Sequence, residues 1–450
     1  MSLYDETRRF VLVQTIHHGI GVLSKFSDRG LINTTYWMEK ITKRDHYKKA
    51  IKRIRELFES GHPSFTVLKK ILRETHPRHR KRLVKAFIIN QLLIGSNRRK
   101  DFSETPGGFY PPGLMVLSPT MRCNLNCFGC YAGSYDRSEE LSFATLDRIL
   151  NEGKEIGMFF AVVSGGEPFF RKDLIDLFEK HHDVAFHVYT HGGLLDKDLV
   201  KRIARAGNIL PAISIEGFEE ETDKRRGKGH YKKIMEAMRL LREEGVLFGF
   251  SSTQTRQNAS FITSEPFIDH MVDVGCVMGW YFSYIPIGRE PNLDLVPTPE
   301  QRDNLRKWVL HVRNTKPILV ADFWNDGPVV GGCIAAGRKY FHINSRGDVE
   351  PCVFAHVASH NINNTTLKEA LNCDLFKFIR ETQKNNENHL RPCMIIDHPE
   401  VLREACSMEG VYFTHKGADN IVSEIADFLD NYALEYAEFA EKAWEGYDHP

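Results

Sequence analysis

The 450 residues contain no run of eighteen or more uncharged apolar side chains, so the sequence offers no membrane-crossing helix. The first nine residues lack the basic, apolar and small-residue succession of a secretory signal. Cysteine is sparse and odd in number, nine in all, with three of the nine inside the eight residues 123–130. An odd, crowded set argues against a disulfide framework and for metal ligation in a reducing compartment. The expectation is a cytoplasmic protein, peripheral at most on the inner face of a membrane. There is also no internal repeat and no low-complexity tract, which excludes solenoids and disordered chains. What remains is a composition of 42% hydrophobic and 26% charged residues, ordinary for a globular chain of two or three domains.

The net charge of +1 conceals a division. Residues 1–100 hold 23 Lys plus Arg against 8 Asp plus Glu, a balance of +15, and the other 350 residues carry −14. A basic module is joined to an acidic body.

In that module apolar residues recur at helical spacing, as in Leu12, Ile16, Ile20 and Leu23, then Ile51, Ile54 and Phe58. Breaks at Asp28-Arg29-Gly30, Gly61-His62-Pro63 and His76-Pro77 predict three to five short helices in a domain over residues 1–110. Gly- and Pro-rich stretches at 105–108 and 111–113 mark a linker. Short apolar runs at 114–117, 159–163, 186–189, 212–215, 249–253 and 280–285 then alternate with amphipathic stretches. Such alternation predicts βα units on a parallel sheet, an α/β core over residues 111–325. Six strands make an open barrel, not a closed eight-fold one. Rising Gly and Cys content around 327–352 predicts a small metal-stabilised module over 326–410, and residues 421–444, within a final segment 411–450, read as an acidic amphipathic docking helix.

Directly after the first predicted strand, Cys123, Cys127 and Cys130 are spaced C-x3-C-x2-C. Three thiolates can hold three corners of a four-iron cube and leave one iron without a protein ligand. A zinc site would want a fourth Cys or His nearby, and the loop supplies none. This signature resembles that of the radical S-adenosylmethionine (SAM) superfamily. The resemblance implies a partial (β/α)6 barrel, a [4Fe-4S] cluster whose open iron binds SAM, and a reductant such as ferredoxin or flavodoxin. One strand later, Gly165-Gly166-Glu167 resembles the family's segment that meets the methionine amino group. Ser214 and Glu216, closing the fourth predicted strand, and Arg226, with Arg225 beside it, are implied contacts for ribose and carboxylate. Thr253 at the next strand end, with Gln254, and Tyr131 beside the third cysteine complete the cofactor-binding candidates.

Further on, Cys333, Gly347 and Cys352 resemble the opening of the SPASM and twitch extensions, which carry auxiliary [4Fe-4S] clusters. Cys393 is the implied third ligand; the fourth stays open, with Cys406 and Cys373 as candidates beside a non-cysteine ligand such as Asp397 or His398. A full SPASM module needs more cysteines than remain, so one auxiliary cluster is expected. Cys276, in an apolar run, reads as core. Tyr189, Thr190 and His191 read first as core residues at a strand end, and Asp322, Trp324, Asn325 and Asp326 as candidate cavity lining. The other histidines, such as His17-His18 and His181-His182, lack ligand spacing.

For the substrate, the unusual feature is the basic module. Residues 87–94 are uncharged and apolar but for Asn90 and Gln91, and lie between Arg78-His79-Arg80-Lys81-Arg82 and Arg98-Arg99-Lys100, a pattern suited to an anionic membrane surface; residues 10–23 offer a second such segment. The leading expectation is therefore hydrogen abstraction from an unactivated C–H bond, with C–C bond formation between membrane-lipid hydrocarbon chains. The alternatives are a maturase of a ribosomally made peptide and an RNA-modifying enzyme.

Overall fold

The computed structural model describes residues 21–42 and 45–447, the side chain of His46 excepted. Of the expected apolar segment 10–23, residues 10–20 lie outside the described residues.

The basic module is helical, with helices at Asp28–Ile41, Asp45–Glu59, Pro63–Arg73, Pro77–Leu83, a π-helix at Val84–Gly95 and Ser96–Ser103. Two of the expected breaks are His-Pro steps. His62 and His76 each cap the helix that follows, their rings accepting from the Ser64 and Arg78 N–H groups, with the proline in the first turn. Proline suits that position because its missing N–H has no intrahelical partner there. Leu31, Phe65 and Leu72 form a small core separate from the main one.

The sheet begins with β1 (Met115–Leu117), followed by β2 (Phe160–Val163), β3 (Ala185–Thr190), β4 (Ile209–Ser214), β5 (Gly249–Gln254), β6 (Met278–Ser283) and β7 (Leu319–Asp322). These seven are parallel and lie side by side in chain order, with helices between them. The six expected strands form, and β7 adds a seventh that the short run after the helix Pro299–Thr315 did not announce. At the opposite edge β8 (His342–Ile343) pairs parallel to β1, and β9 (Val349–Glu350) pairs antiparallel to β8. The remaining pair is β10 (Val357–Ala358) with β11 (Tyr412–Phe413). The C-terminal module is thus stitched to the very strand that leads into the cysteine loop.

Alternation along the strands explains the cavity. In β2, Ala161 and Val163 are buried under the outer helices while Phe160 and Val162 are only half-buried; in β6, Gly279, Tyr281 and Ser283 are buried and Trp280 and Phe282 half-buried. Successive strand residues point to opposite faces, so the outer face is packed and the inner face borders an open lumen.

The expected docking helix forms as Ala426–Glu445 and buries Leu429, Tyr432 and Tyr436. Tyr436 lies 3.6 Å from the Arg302 guanidinium, which pairs with Asp397 at 2.6 and 3.1 Å. Both charges are fully buried.

Candidate active site

The loop after β1 presents Cys123, Cys127 and Cys130 to an open cavity in the barrel lumen. Several straps hold the loop. The Gly166 and Glu167 N–H groups donate to the Thr120 and Arg122 carbonyls at 2.9 and 2.8 Å. At Gly165 (φ +109°) a Cβ would come within 2.5 Å of the Thr120 oxygen, so the glycines close against the loop's own backbone. Asn124 Oδ1 meets His191 Nε2 at 2.8 Å, and the Tyr131 and Ser164 hydroxyls lie 2.6 Å apart. Gly129 (φ +61°) lets the loop pass Tyr284, whose ring a Cβ would meet at 2.6 Å.

Gly165, Gly166, Ser214, Arg226, Tyr131 and Thr253, all expected cofactor contacts, line this cavity together with Arg225, Tyr189, Thr190 and His191. Glu167 and Glu216, also expected contacts, are buried just behind the lining residues. The Glu167 carboxylate is fully buried and accepts from the Phe169 N–H (3.0 Å), Thr190 Oγ1 (2.8 Å) and the His191 N–H (2.9 Å). Burial nonetheless pushes it up to about 7. It ties β2 to the end of β3 and leaves the Gly165–Gly166 backbone facing the cavity. Glu216 lies behind Arg225 and Arg226, at 2.9 and 2.5 Å. Burial alone would raise its carboxyl, but the two guanidiniums outweigh that and hold it below the usual range. Arg225 also reaches the Phe128 and Gly129 carbonyls at 3.4 Å, inside the cysteine loop.

A second cavity gathers Cys333, Cys352 and Cys393. Trp280, Phe323, Ile334, Tyr340 and Phe354 line both cavities and form the wall between them. The structure does not bring Cys406 to this trio. It ends the helix Pro399–Cys406 and lines neither cavity, and its thiol is pushed up to about 11 by burial alone, with no other thiol acting on it. Cys373 lines neither cavity, and Asp397 is occupied by Arg302 and by the Cys393 N–H at 2.9 Å. Of the expected cavity residues 322–326, Asp322, Trp324 and Asp326 line the second cavity. Asn325 instead accepts from Arg302 Nε and from Tyr436 at 3.2 and 3.0 Å.

The donor chemistry suits iron–sulfur clusters. Cys123 accepts the Leu125 N–H at 3.4 Å and Cys393 the Ile395 N–H at 3.3 Å. Ala132, Ala335, and Phe354 with Ala355 serve Cys130, Cys333 and Cys352 in the same way. Burial pushes the Cys123 thiol up to about 11 and Cys333 up to about 12, and these N–H donors pull each back toward thiolate. Cys276 and Cys406, also raised by burial, receive no such bond. Hydrogen bonds to sulfur are a principal means of tuning cluster potentials. Among the described residues no group of three His, Cys, Asp or Glu side chains is close enough to clasp a single ion, whereas a cubane places each thiolate on its own iron.

Several site residues escaped the sequence reading. Tyr340 donates to Cys352 Sγ at 2.8 Å, and Trp280 and Phe282 line the lumen; alternation within the run 280–285 is the one signal that could have marked the latter two as inward-facing.

Comparison with known proteins adds independent findings. The radical SAM superfamily profile matches residues 117–253, and that of the SPASM iron–sulfur cluster-binding domain matches residues 333–394. The chain is 24% identical to the AdoMet-dependent heme synthase of Methanosarcina barkeri, over 61% of this chain and 86% of that protein. It is 26% identical to the PqqA peptide cyclase of Gluconobacter oxydans, over 69% and 89% respectively. The fold is similar to that of SuiB from Streptococcus suis, with TM-score 0.51 and 18% identity, covering 60% of this chain and 68% of that one.

Proposed function

We propose that this chain, which belongs to the radical SAM superfamily and carries an iron–sulfur cluster-binding SPASM domain, abstracts a hydrogen atom from an unactivated C–H bond in an apolar part of its substrate. The observation that carries this reading is the lumen itself, an aromatic and aliphatic cavity running between two cysteine trios.

Cys123, Cys127 and Cys130 would hold the [4Fe-4S] cluster and leave its fourth iron to SAM; Cys333, Cys352 and Cys393 would hold the auxiliary cluster. When bound and reduced by a ferredoxin- or flavodoxin-type donor, the first cluster supplies the electron that splits SAM into methionine and the 5′-deoxyadenosyl radical, the species that takes the hydrogen. The chain's own residues bind and shield. The Gly165–Gly166 backbone and Arg226, backed by Glu216, face the methionine end, while Ser214 and Thr253 offer hydroxyls to the ribose. Trp280, Phe282 and Tyr189 keep water from the reacting carbon. Tyr340 and Phe354, which line both cavities, would separate the substrate from the auxiliary cluster.

Two substrate classes fit. A relative named for a peptide, the PqqA cyclase, favours an apolar side chain of a peptide, and this is the reading the comparisons support. The second is a lipid hydrocarbon chain, for which the largely apolar lining of the lumen, with Leu114, Val116, Val162 and Trp280, is the supporting observation. The test is anaerobic turnover of reconstituted protein. Cys127→Ala should abolish 5′-deoxyadenosine formation and Cys352→Ala should leave a measurable part of it. Transfer of deuterium into 5′-deoxyadenosine from a perdeuterated lipid pool or from a labelled peptide identifies the class. SAM cleavage by Cys127→Ala would remove the assignment of the site.

A further inference from the structure

The π-helix Val84–Gly95 is fixed to the barrel on one side and bare on the other. Asn90 Nδ2 donates to the Asp183 carbonyl at 2.8 Å, and Gln91 accepts the Phe159 N–H at 2.7 Å while donating to the Gly113 carbonyl. These bonds hold the helix against the starting ends of β1 and β2, so it cannot roll to hide its outer face. On that face Phe87, Ile88 and Leu92 are 40, 39 and 48% exposed. Exposed Lys81, Arg98 and Lys100 flank the strip in sequence. π-helical turns are rare and concentrate at functional sites.

Behind the strip stands the lumen. The Phe87 ring meets the Phe160 ring edge-on, with centroids 5.3 Å apart, and Phe160 is itself a lining residue of the lumen. A single phenyl ring therefore lies between an exposed apolar surface and a cavity lined by Leu114, Val116, Val162 and Trp280, with Ser251 beside Trp280. The charged pair Arg225 and Arg226 belongs to the SAM end, among the strand carboxyl ends. Apolar contact outside, the net positive charge of the module that carries it and a largely apolar interior behind it match an amphiphile with an anionic head and a hydrocarbon tail.

We propose that the π-helix docks the protein on an anionic phospholipid bilayer and that a lipid hydrocarbon chain enters the lumen past Phe160. This rests on the hydrogen-abstraction reading above and names its substrate class.

The test uses full-length reconstituted protein without SAM, co-sedimented with vesicles of phosphatidylglycerol or of phosphatidylcholine. Binding should favour phosphatidylglycerol and weaken with salt, and Ile88→Asp and Leu92→Asp should each reduce it at least tenfold. Iron content and uncoupled 5′-deoxyadenosine formation should remain as in the parent protein, which separates failure of this proposal from failure of the radical SAM reading. Phosphatidylglycerol with brominated acyl chains should quench tryptophan fluorescence, and Trp280→Phe should remove part of that quenching. Equal binding to neutral vesicles, undiminished binding by Leu92→Asp, or the same quenching in Trp280→Phe would overturn the proposal. So would quenching of Trp280 by a brominated apolar peptide when vesicles give none, which assigns the lumen to a peptide. A Leu92→Asp protein that changes from dimer to monomer with vesicle binding unaltered assigns the strip to a second copy of the chain.

Discussion

Tyr340 is the residue whose role the structure adds most plainly, since its hydroxyl reaches Cys352 Sγ at 2.8 Å from within the wall between the two cavities. A hydrogen bond to a ligating sulfur stabilises the reduced, more negative cluster. Tyr340→Phe should therefore lower the potential of the auxiliary cluster and leave that of the SAM cluster unmoved, read by EPR-monitored titration of both signals. An unmoved auxiliary potential would show that the bond carries no weight. At this scale the sequence was legible wherever a motif fixes covalent spacing, as in Cys123, Cys127 and Cys130. It is silent where a side chain's direction decides its partners. Glu167 and Glu216 stand at the expected positions, yet both turn inward because a buried carboxylate goes where its donors are, and those donors come from elements distant in the sequence. Cys406 was one of several candidates for a fourth auxiliary ligand, and nothing in a one-dimensional pattern reveals that it ends the helix Pro399–Cys406 outside the cavity that gathers the trio.

Among elements, the barrel was largely readable because short apolar runs alternating with amphipathic stretches have few other solutions. β7 was missed because a four-residue strand carries little periodicity of its own. The connections were not readable at all. β8 and β9 bind the C-terminal module to β1 through a buried chain in which Ser118 meets His342 at 2.7 Å and His342 meets Glu350 at 2.5 Å. Tyr135 of the cysteine loop donates to Glu350 at 2.7 Å. A second tie, Arg302 with Asp397, joins the helix Pro299–Thr315 to the segment after Cys393. Removing one member of a fully buried pair strands the other charge, at a cost of about 3–5 kcal/mol. Arg302→Met should thus destabilise the protein by roughly that amount in anaerobic urea unfolding. The double change Arg302→Met with Asp397→Leu should recover a substantial part. If the double variant is no more stable than the single one, the stranded-charge account fails.

For the whole molecule, acid sensitivity follows from histidines buried in neutral form. Burial pushes His79 down to about 3, and His187, His191 and His230 down to about 4. A group whose folded value lies below its unfolded one costs stability as pH falls between the two, about 1.4 kcal/mol per pH unit for each proton. Glu167, pushed up to about 7, and Asp322, pushed up to about 6, act in the opposite sense, because the folded state then binds the extra proton. Four histidines against two carboxylates leave a net loss on acidification. Stability should fall from pH 6.5 toward pH 4.5, and His187→Gln should flatten the slope, as followed by chemical unfolding across that range. A parent protein equally stable at both ends would contradict these assignments. Among the described residues no helix is long and apolar enough to cross a membrane.

The central claim is that three thiolates at Cys123, Cys127 and Cys130 leave one iron open to SAM. The most direct measurement is Mössbauer and EPR spectroscopy of anaerobically reconstituted protein carrying Cys333→Ala, Cys352→Ala and Cys393→Ala together, recorded before and after SAM is added. The account predicts a single [4Fe-4S] cluster in which one iron site alone changes its spectrum on SAM binding. A protein that takes up zinc in place of iron, or a cluster whose four irons are unaffected by SAM, would contradict it.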